Sequence, residues 1–140
     1  MSLIELHYDV PGDDFSRAGE ASGNVKAQLK KLGFDPALIR NVVIALYEGE
    51  INMVIHANGG TIDVSIDPDC IRMVLADKGP GIADVELAMQ AGYSTAPDNV
   101  RALGFGAGMG LPNIKKYTDD MRIDTKLGEG TTMYLRVDVK

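Results

Sequence analysis

Residues 41–56 read NVVIALYEGEINMVIH, and two patterns share that stretch. Ile39, Val42, Val43, Leu46, Met53 and Val54 supply apolar side chains for a core, while Asn41, Ala45, Glu48, Asn52 and His56 follow one another at intervals of three and four. That spacing puts the second set on one stripe of an α-helix. A water-facing stripe normally carries long charged side chains, so a row of small and short polar residues between apolar flanks suggests a lined cavity. Asn52 offers a neutral amide oxygen suited to Mg2+, and Glu48, one turn earlier, can orient or deprotonate an attacking group. Taken alone, the stripe reads equally well as a solvated helix face with its own surface hydrogen bond.

Outward from this stretch the elements are set by local punctuation. Asp35-Pro36 opens the helix, with Asp as cap and Pro in the first turn, and the pattern runs to about Ala57 before Asn58-Gly59-Gly60. Upstream, Leu3–Val10 reads as a strand stopped by Pro11-Gly12. Ser16–Leu32 reads as a helix with a basic end (Lys26, Lys30, Lys31) and Gly33 as its stop. Downstream, Thr61–Asp67 and Ile71–Asp77 flank Pro68-Asp69-Cys70 as a hairpin. From Lys78 to Gly110 there are seven glycines and two prolines, with room for a short helix near Val85–Ala91. Irregular stretches of that length are usually functional. Leu111–Tyr117 is predicted helical, and Met121–Leu127 with Thr131–Val139 make a second hairpin about Gly128-Glu129-Gly130. The order predicts an α/β (α+β) two-layer sandwich: helices on one face of a mixed, mainly antiparallel sheet, with a long lid.

The bulk numbers agree with one domain over residues 1–140: the chain has 140 residues, 45% hydrophobic and 24% charged. Fourteen basic against twenty acidic residues leave a net charge of -6, which argues against nucleic acid or an anionic membrane as the main partner. A single cysteine, Cys70, excludes an internal disulfide and a multi-thiolate metal site, and it reads as a small buried apolar residue. Met1–Asp14 has neither the basic start nor the apolar stretch of a signal peptide, and no segment reaches membrane-spanning length, so a cytoplasmic protein is expected.

Three further motifs carry chemistry. Asp77-Lys78-Gly79-Pro80-Gly81 follows an apolar strand; a carboxylate there can accept from the exocyclic amine of a base, and glycines let a ligand approach the backbone. Asp and Gly are also ordinary turn residues. Gly104-Phe105-Gly106-Ala107-Gly108-Met109-Gly110-Leu111 alternates glycines ahead of a helical stretch carrying Lys115 and Lys116, an arrangement that can present backbone N–H groups to a polyphosphate. It lacks the Gly-Lys-Ser/Thr of a P-loop and the early βαβ setting of a dinucleotide fingerprint, and a flexible loop is its plain reading. Gly130-Thr131-Thr132 begins the last strand, and Thr131 can reach a ligand held by Asp77 if the two strands are neighbours.

In this order, ExxxN (Glu48, Asn52), DxGxG (Asp77, Gly79, Gly81), GxGxGxGL (Gly104 to Leu111) and GTT (Gly130 to Thr132) resemble the GHKL, or histidine-kinase-like, ATP-binding superfamily. The resemblance spans Ile39 to Val137. It implies ATP and Mg2+ as ligands, with Asn52 as the metal ligand and Asp77, assisted by Thr131, as the adenine reader. Gly79 and Gly81 would shape the adenine pocket, and Ile82 to Ala107 would be the lid. Gly104, Gly106, Gly108, Met109, Gly110 and Leu111 would lie along the phosphates, and Glu48 would be the general base.

Length and the absence of a phosphoacceptor histidine favour one branch, since the only histidines are His7, in a predicted strand, and His56. The stretch Gly108–Lys116 and Tyr93-Ser94-Thr95 resemble the small anti-sigma factors and switch kinases. That resemblance implies transfer of the γ-phosphate to a serine of a protein partner, an antagonist or sigma-factor-like regulator. Those small kinases commonly dimerise, and the first strand offers an edge for a homodimer. Two other functions fit the same motifs: a nucleotide-gated binding module with little or no transfer, and the ATP domain of a split histidine kinase. Arg101 in the lid reads as a phosphate contact or, more commonly, a solvated loop arginine. Lys115 and Lys116 face phosphate or complement Asp119-Asp120.

Overall fold

The computed structural model describes residues 4–12, 17–56, 59–79, 81 and 110–139. Along the chain these form β1 (Ile4–Pro11), α1 (Glu20–Lys31), α2 (Pro36–His56), β2 (Gly59–Ile66), β3 (Cys70–Asp77), α3 (Gly110–Lys116), β4 (Asp120–Lys126) and β5 (Gly130–Asp138). The strands make one sheet in the order β1-β2-β3-β5-β4.

The two-layer sandwich expected from the sequence is present, and all four pairings of the described strands are antiparallel, so the parallel component of a mixed sheet is missing among them. A single crossover helix would return β2 parallel to β1. Here two successive helices, α1 and α2, intervene, and the extra reversal brings β2 back antiparallel. The remaining pairings follow from the hairpins β2–β3 and β4–β5 and from β5 closing beside β3.

The helices cover one face. Ile62, Val64 and Ile66 on β2, Ile71, Met73 and Leu75 on β3, and Met133, Leu135 and Val137 on β5 are all buried, meeting Val25 and Leu29 of α1, Val42, Leu46, Met53 and Val54 of α2, and Ile114 of α3. Each such side chain contributes about 1.5–3 kcal/mol when fully buried. The intervening residues face outward in register. One row runs His7, Asp63, Val74, Tyr134, Arg122 across the five strands. In that row His7 Nδ1 lies 2.6 Å from Asp63 Oδ1, and the Asp63 carboxylate beside it raises the imidazole pKa. The Arg122 guanidinium sits 4.8 Å from the centre of the Tyr134 ring.

Local chemistry explains most helix ends. Asp35 caps α2 by accepting from the Ala37 N–H at 3.1 Å. Gly33, at φ 79, terminates α1, with the Gly33 N–H donating to the Lys30 carbonyl and the Phe34 N–H to the Leu29 carbonyl. The start of α1 departs from the expected Ser16. Gly19 adopts a left-handed φ of 94, no side chain at the cap position bonds the helix, and α1 begins at Glu20.

The missing cap is supplied from α2. Glu50 is 2% exposed, and its carboxylate accepts from the N–H groups of Gly19 (3.1 Å), Ala21 (3.2 Å) and Ser22 (3.2 Å). A buried anion at the positive pole of a helix, saturated by backbone donors, satisfies both partners. It also locks α1 onto α2 by a contact as directional as the apolar packing is not.

Candidate functional site

Two glycines decide how α2 meets the sheet. A Cβ on Gly49 would stand 2.4 Å from Leu75 Cδ2, and one on Gly60 would stand 2.2 Å from the Ala76 carbonyl oxygen and 2.5 Å from Met53 Cε. So Gly49 lets α2 press directly onto β3, and Met53 lies against the strand ends beside Asp77. The C-terminal halves of α2 and β3 therefore finish at the same end of the molecule, which puts Asn52 and Asp77 there together.

At that end the Asp77 carboxylate is fixed. The Gly79 N–H donates to Oδ1 at 3.0 Å and the Thr131 N–H donates to the same oxygen at 3.1 Å. Both of these donors fall on Oδ1, no bond to Oδ2 is recorded among the described residues, and Asp77 is half-buried. The contact across β3 and β5 needs Gly130, at φ 128, where a Cβ would lie 2.1 Å from the Asp77 carbonyl oxygen. The Thr131 hydroxyl is 2.8 Å from that of Thr125, and Thr131 is 7% exposed. The two strands are neighbours, which is the condition set for Thr131 to reach a ligand held by Asp77, and the direct link between the two residues runs through the Thr131 backbone. Gly81, at φ 81, packs against the end of β4, where a Cβ would come 2.6 Å from the Lys126 carbonyl oxygen. In this structure the missing side chain admits the Lys126–Leu127 backbone.

The α2 stripe is mostly half-buried, Asn41 included. Ala45 is fully buried in the core, whereas Glu48 and Asn52 are half-buried. Beside Glu48, α3 packs against α2. Leu111 and Ile114 of α3 are buried, and Asn113 Nδ2 donates to Glu48 Oε1 at 3.4 Å. On the adjacent face of α2 the Tyr47 ring lies over Gly19, and burial, helped by Glu48 and Glu50, raises its phenol pKa. The backbone of His56 closes α2; its side chain lies outside the described residues.

Gly104, Gly106, Gly108 and Met109, the lid with Arg101, and the short helix expected near Val85–Ala91 also lie outside the described residues; Gly110 opens α3. Lys115 and Lys116 are exposed in the last turn of α3, where they complement the helix dipole, and Lys116 Nζ lies 5.3 Å from the centre of the Tyr117 ring. Among the described residues no three His, Cys, Asp or Glu side chains converge as a metal cage. Asn52 carries a half-buried neutral amide oxygen, a donor type that a magnesium ion accepts when it keeps waters and phosphate oxygens. Among the described residues, no helix is long and apolar enough to cross a membrane.

Sequence reasoning had not assigned roles to Glu50, Gly49, Gly60 or Asn113. For Glu50 there was a signal: a carboxylate flanked by Gly49 and Ile51 on a helix whose neighbours are core. For the other three no local pattern exists.

Comparison with known proteins follows the same lines. Residues 14–137 match the histidine kinase-like ATPase domain. The serine/threonine-protein kinase RsbT of Bacillus subtilis (strain 168) is 30% identical over 106 residues, covering 73% of this chain and 74% of RsbT. The anti-sigma F factor of Priestia megaterium is 31% identical over 99 residues, covering 70% of this chain and 60% of that protein. The aligned region is therefore a little under two thirds of the anti-sigma F factor's length. Among solved structures, the RsbU and RsbW domains from Mycobacterium tuberculosis superpose with a TM-score of 0.65 at 18% identity, covering 96% of this chain and 32% of that one. The mycobacterial sensor histidine kinase MprB gives 0.54 at 19%, covering 96% and 97%. At those identities the two structures speak for the fold alone.

Proposed function

The chain belongs to the histidine kinase-like ATPase domain family, and on that premise we propose that it is a regulatory protein kinase that binds Mg-ATP and transfers the γ-phosphate to a serine of a partner protein. The observation that carries the proposal is the gathering at one end of the sheet of Asp77, its Oδ1 held by two backbone N–H groups, with the accessible Glu48–Asn52 turns of α2. A carboxylate with one oxygen pinned by backbone N–H groups can turn its other oxygen to the amino group of adenine. Asn52 offers the magnesium ion an amide oxygen; when bound, that ion neutralises charge on the phosphates. Gly104, Gly106, Gly108, Met109, Gly110 and Leu111 belong to the same proposal as the phosphate-side stretch, and Gly79, Gly81 and Thr131 as the adenine side.

Glu48 acts as general base. It accepts the proton of the partner's serine hydroxyl, the serine oxygen bonds to the γ-phosphorus, and the bond to the β–γ bridging oxygen breaks, leaving ADP. Positioning supplies most of the acceleration in such reactions. The relative named as a serine/threonine-protein kinase supports transfer, and those named as anti-sigma factors support a regulatory protein, an antagonist or a sigma-like factor, as the partner.

The test is to capture partners on the immobilised chain with and without Mg-ATP and supply γ-labelled ATP. Acid-stable phosphoserine on a captured partner is expected. Acid-labile label would point instead to the ATP half of a split histidine kinase, and no label on an ATP-dependent partner would point to a nucleotide-gated binding module.

A further inference from the structure

We infer that Asn113 is the positioning residue for Glu48, holding one oxygen of the carboxylate so that the other faces the incoming hydroxyl. The inference rests on the reading of Glu48 as general base. The two residues are 65 apart in sequence and are brought together by the packing of α3 on α2. The seat of α3 is well defined: Ile114 is fully buried and Leu111 8% exposed, the Tyr117 N–H donates to the Asn113 carbonyl at 3.1 Å, and the Thr118 hydroxyl donates to the Ile114 carbonyl at 2.8 Å. Asn113 itself is half-buried, as is Glu48, so the 3.4 Å contact from Nδ2 to Oε1 lies at the edge of the helix interface rather than in open water.

The choice of side chain matters. Lysine or arginine at this place would form an ion pair and weaken the carboxylate as a base, and an apolar residue would leave it free to rotate. A neutral amide donor fixes direction without adding a charge, and so weakens a base less than a cation would. Among the described residues the Asn113 amide is the only side-chain donor recorded on Glu48. Lys115 and Lys116 are exposed in the last turn, with Lys116 over the Tyr117 ring.

The experiment compares wild type, Asn113→Ala and Asn113→Asp in phosphate transfer, in Mg-ATP affinity by calorimetry, and in thermal melting. It adds a carbon NMR titration of the Glu48 carboxyl, assigned with Glu48→Gln. Asn113→Ala is expected to lower kcat about tenfold with KM for ATP and the melting temperature little changed. Asn113→Asp sets a second carboxylate beside Glu48. The Glu48 titration and the acid limb of the kcat profile should then both move up by about one pH unit. An unmoved Glu48 titration in Asn113→Asp, or a fall in kcat for Asn113→Ala matched by a fall in melting temperature, overturns the inference. A wild-type chain that transfers no phosphate overturns the underlying reading of Glu48, and the inference with it; the NMR titration separates that outcome from a misplaced Asn113.

Discussion

Glu48→Gln is expected to slow phosphate transfer by about 10²- to 10⁴-fold while leaving Mg-ATP affinity within about twofold. The replacement keeps the shape and an acceptor oxygen for Asn113 Nδ2, so the packing of α3 on α2 is preserved. It removes only the capacity to take a proton. A loss confined to the chemical step should appear in kcat and in single-turnover rate, with KM for ATP unmoved. If transfer by Glu48→Gln stayed within threefold of wild type, Glu48 would be a structural or solvent-ordering residue. The base would then have to be sought elsewhere.

The second large effect concerns stability. Glu50→Ala should destabilise the fold by about 3 kcal/mol, because it strands backbone donors on Gly19, Ala21 and Ser22 that have no side-chain cap of their own. Glu50→Gln should cost about half as much. Its amide oxygen can retain the two bonds made at Oε2, to Gly19 and Ala21, while its amino group opposes the Ser22 N–H now bonded to Oε1. Urea denaturation of the three proteins measures the series. A Glu50→Ala variant as stable as wild type would mean that the helix start is capped adequately by solvent.

Elements whose ends are set by neighbouring residues were legible in the sequence. Gly33 in its left-handed turn, Asp35 as a cap and the Gly128 turn are found where local chemistry puts them. The start of α1 was not legible, because its cap comes from Glu50, 31 residues beyond Gly19. The same limit applies to the site. Glu48, Asn52 and Asp77 could be nominated from spacing and motif order. The bond from the Thr131 N–H to Asp77 spans 54 residues, and the one from Asn113 to Glu48 spans 65, so both arise only when strands and helices are assembled. Gly49 and Gly60 show the matter in another form. Their importance is the space they leave for Leu75, Met53 and Ala76, and a sequence does not display what a missing side chain would have met.

The account stands or falls on nucleotide held at Asp77. Isothermal titration of Mg-ATP into the native chain and into Asp77→Asn reads this directly. One binding site is predicted for the wild type. Affinity should weaken about 10- to 100-fold in the variant, because the asparagine oxygen keeps the Gly79 and Thr131 N–H bonds while its amino group confronts that of adenine. No heat of binding in the wild type, or equal affinity in the two proteins, would contradict it.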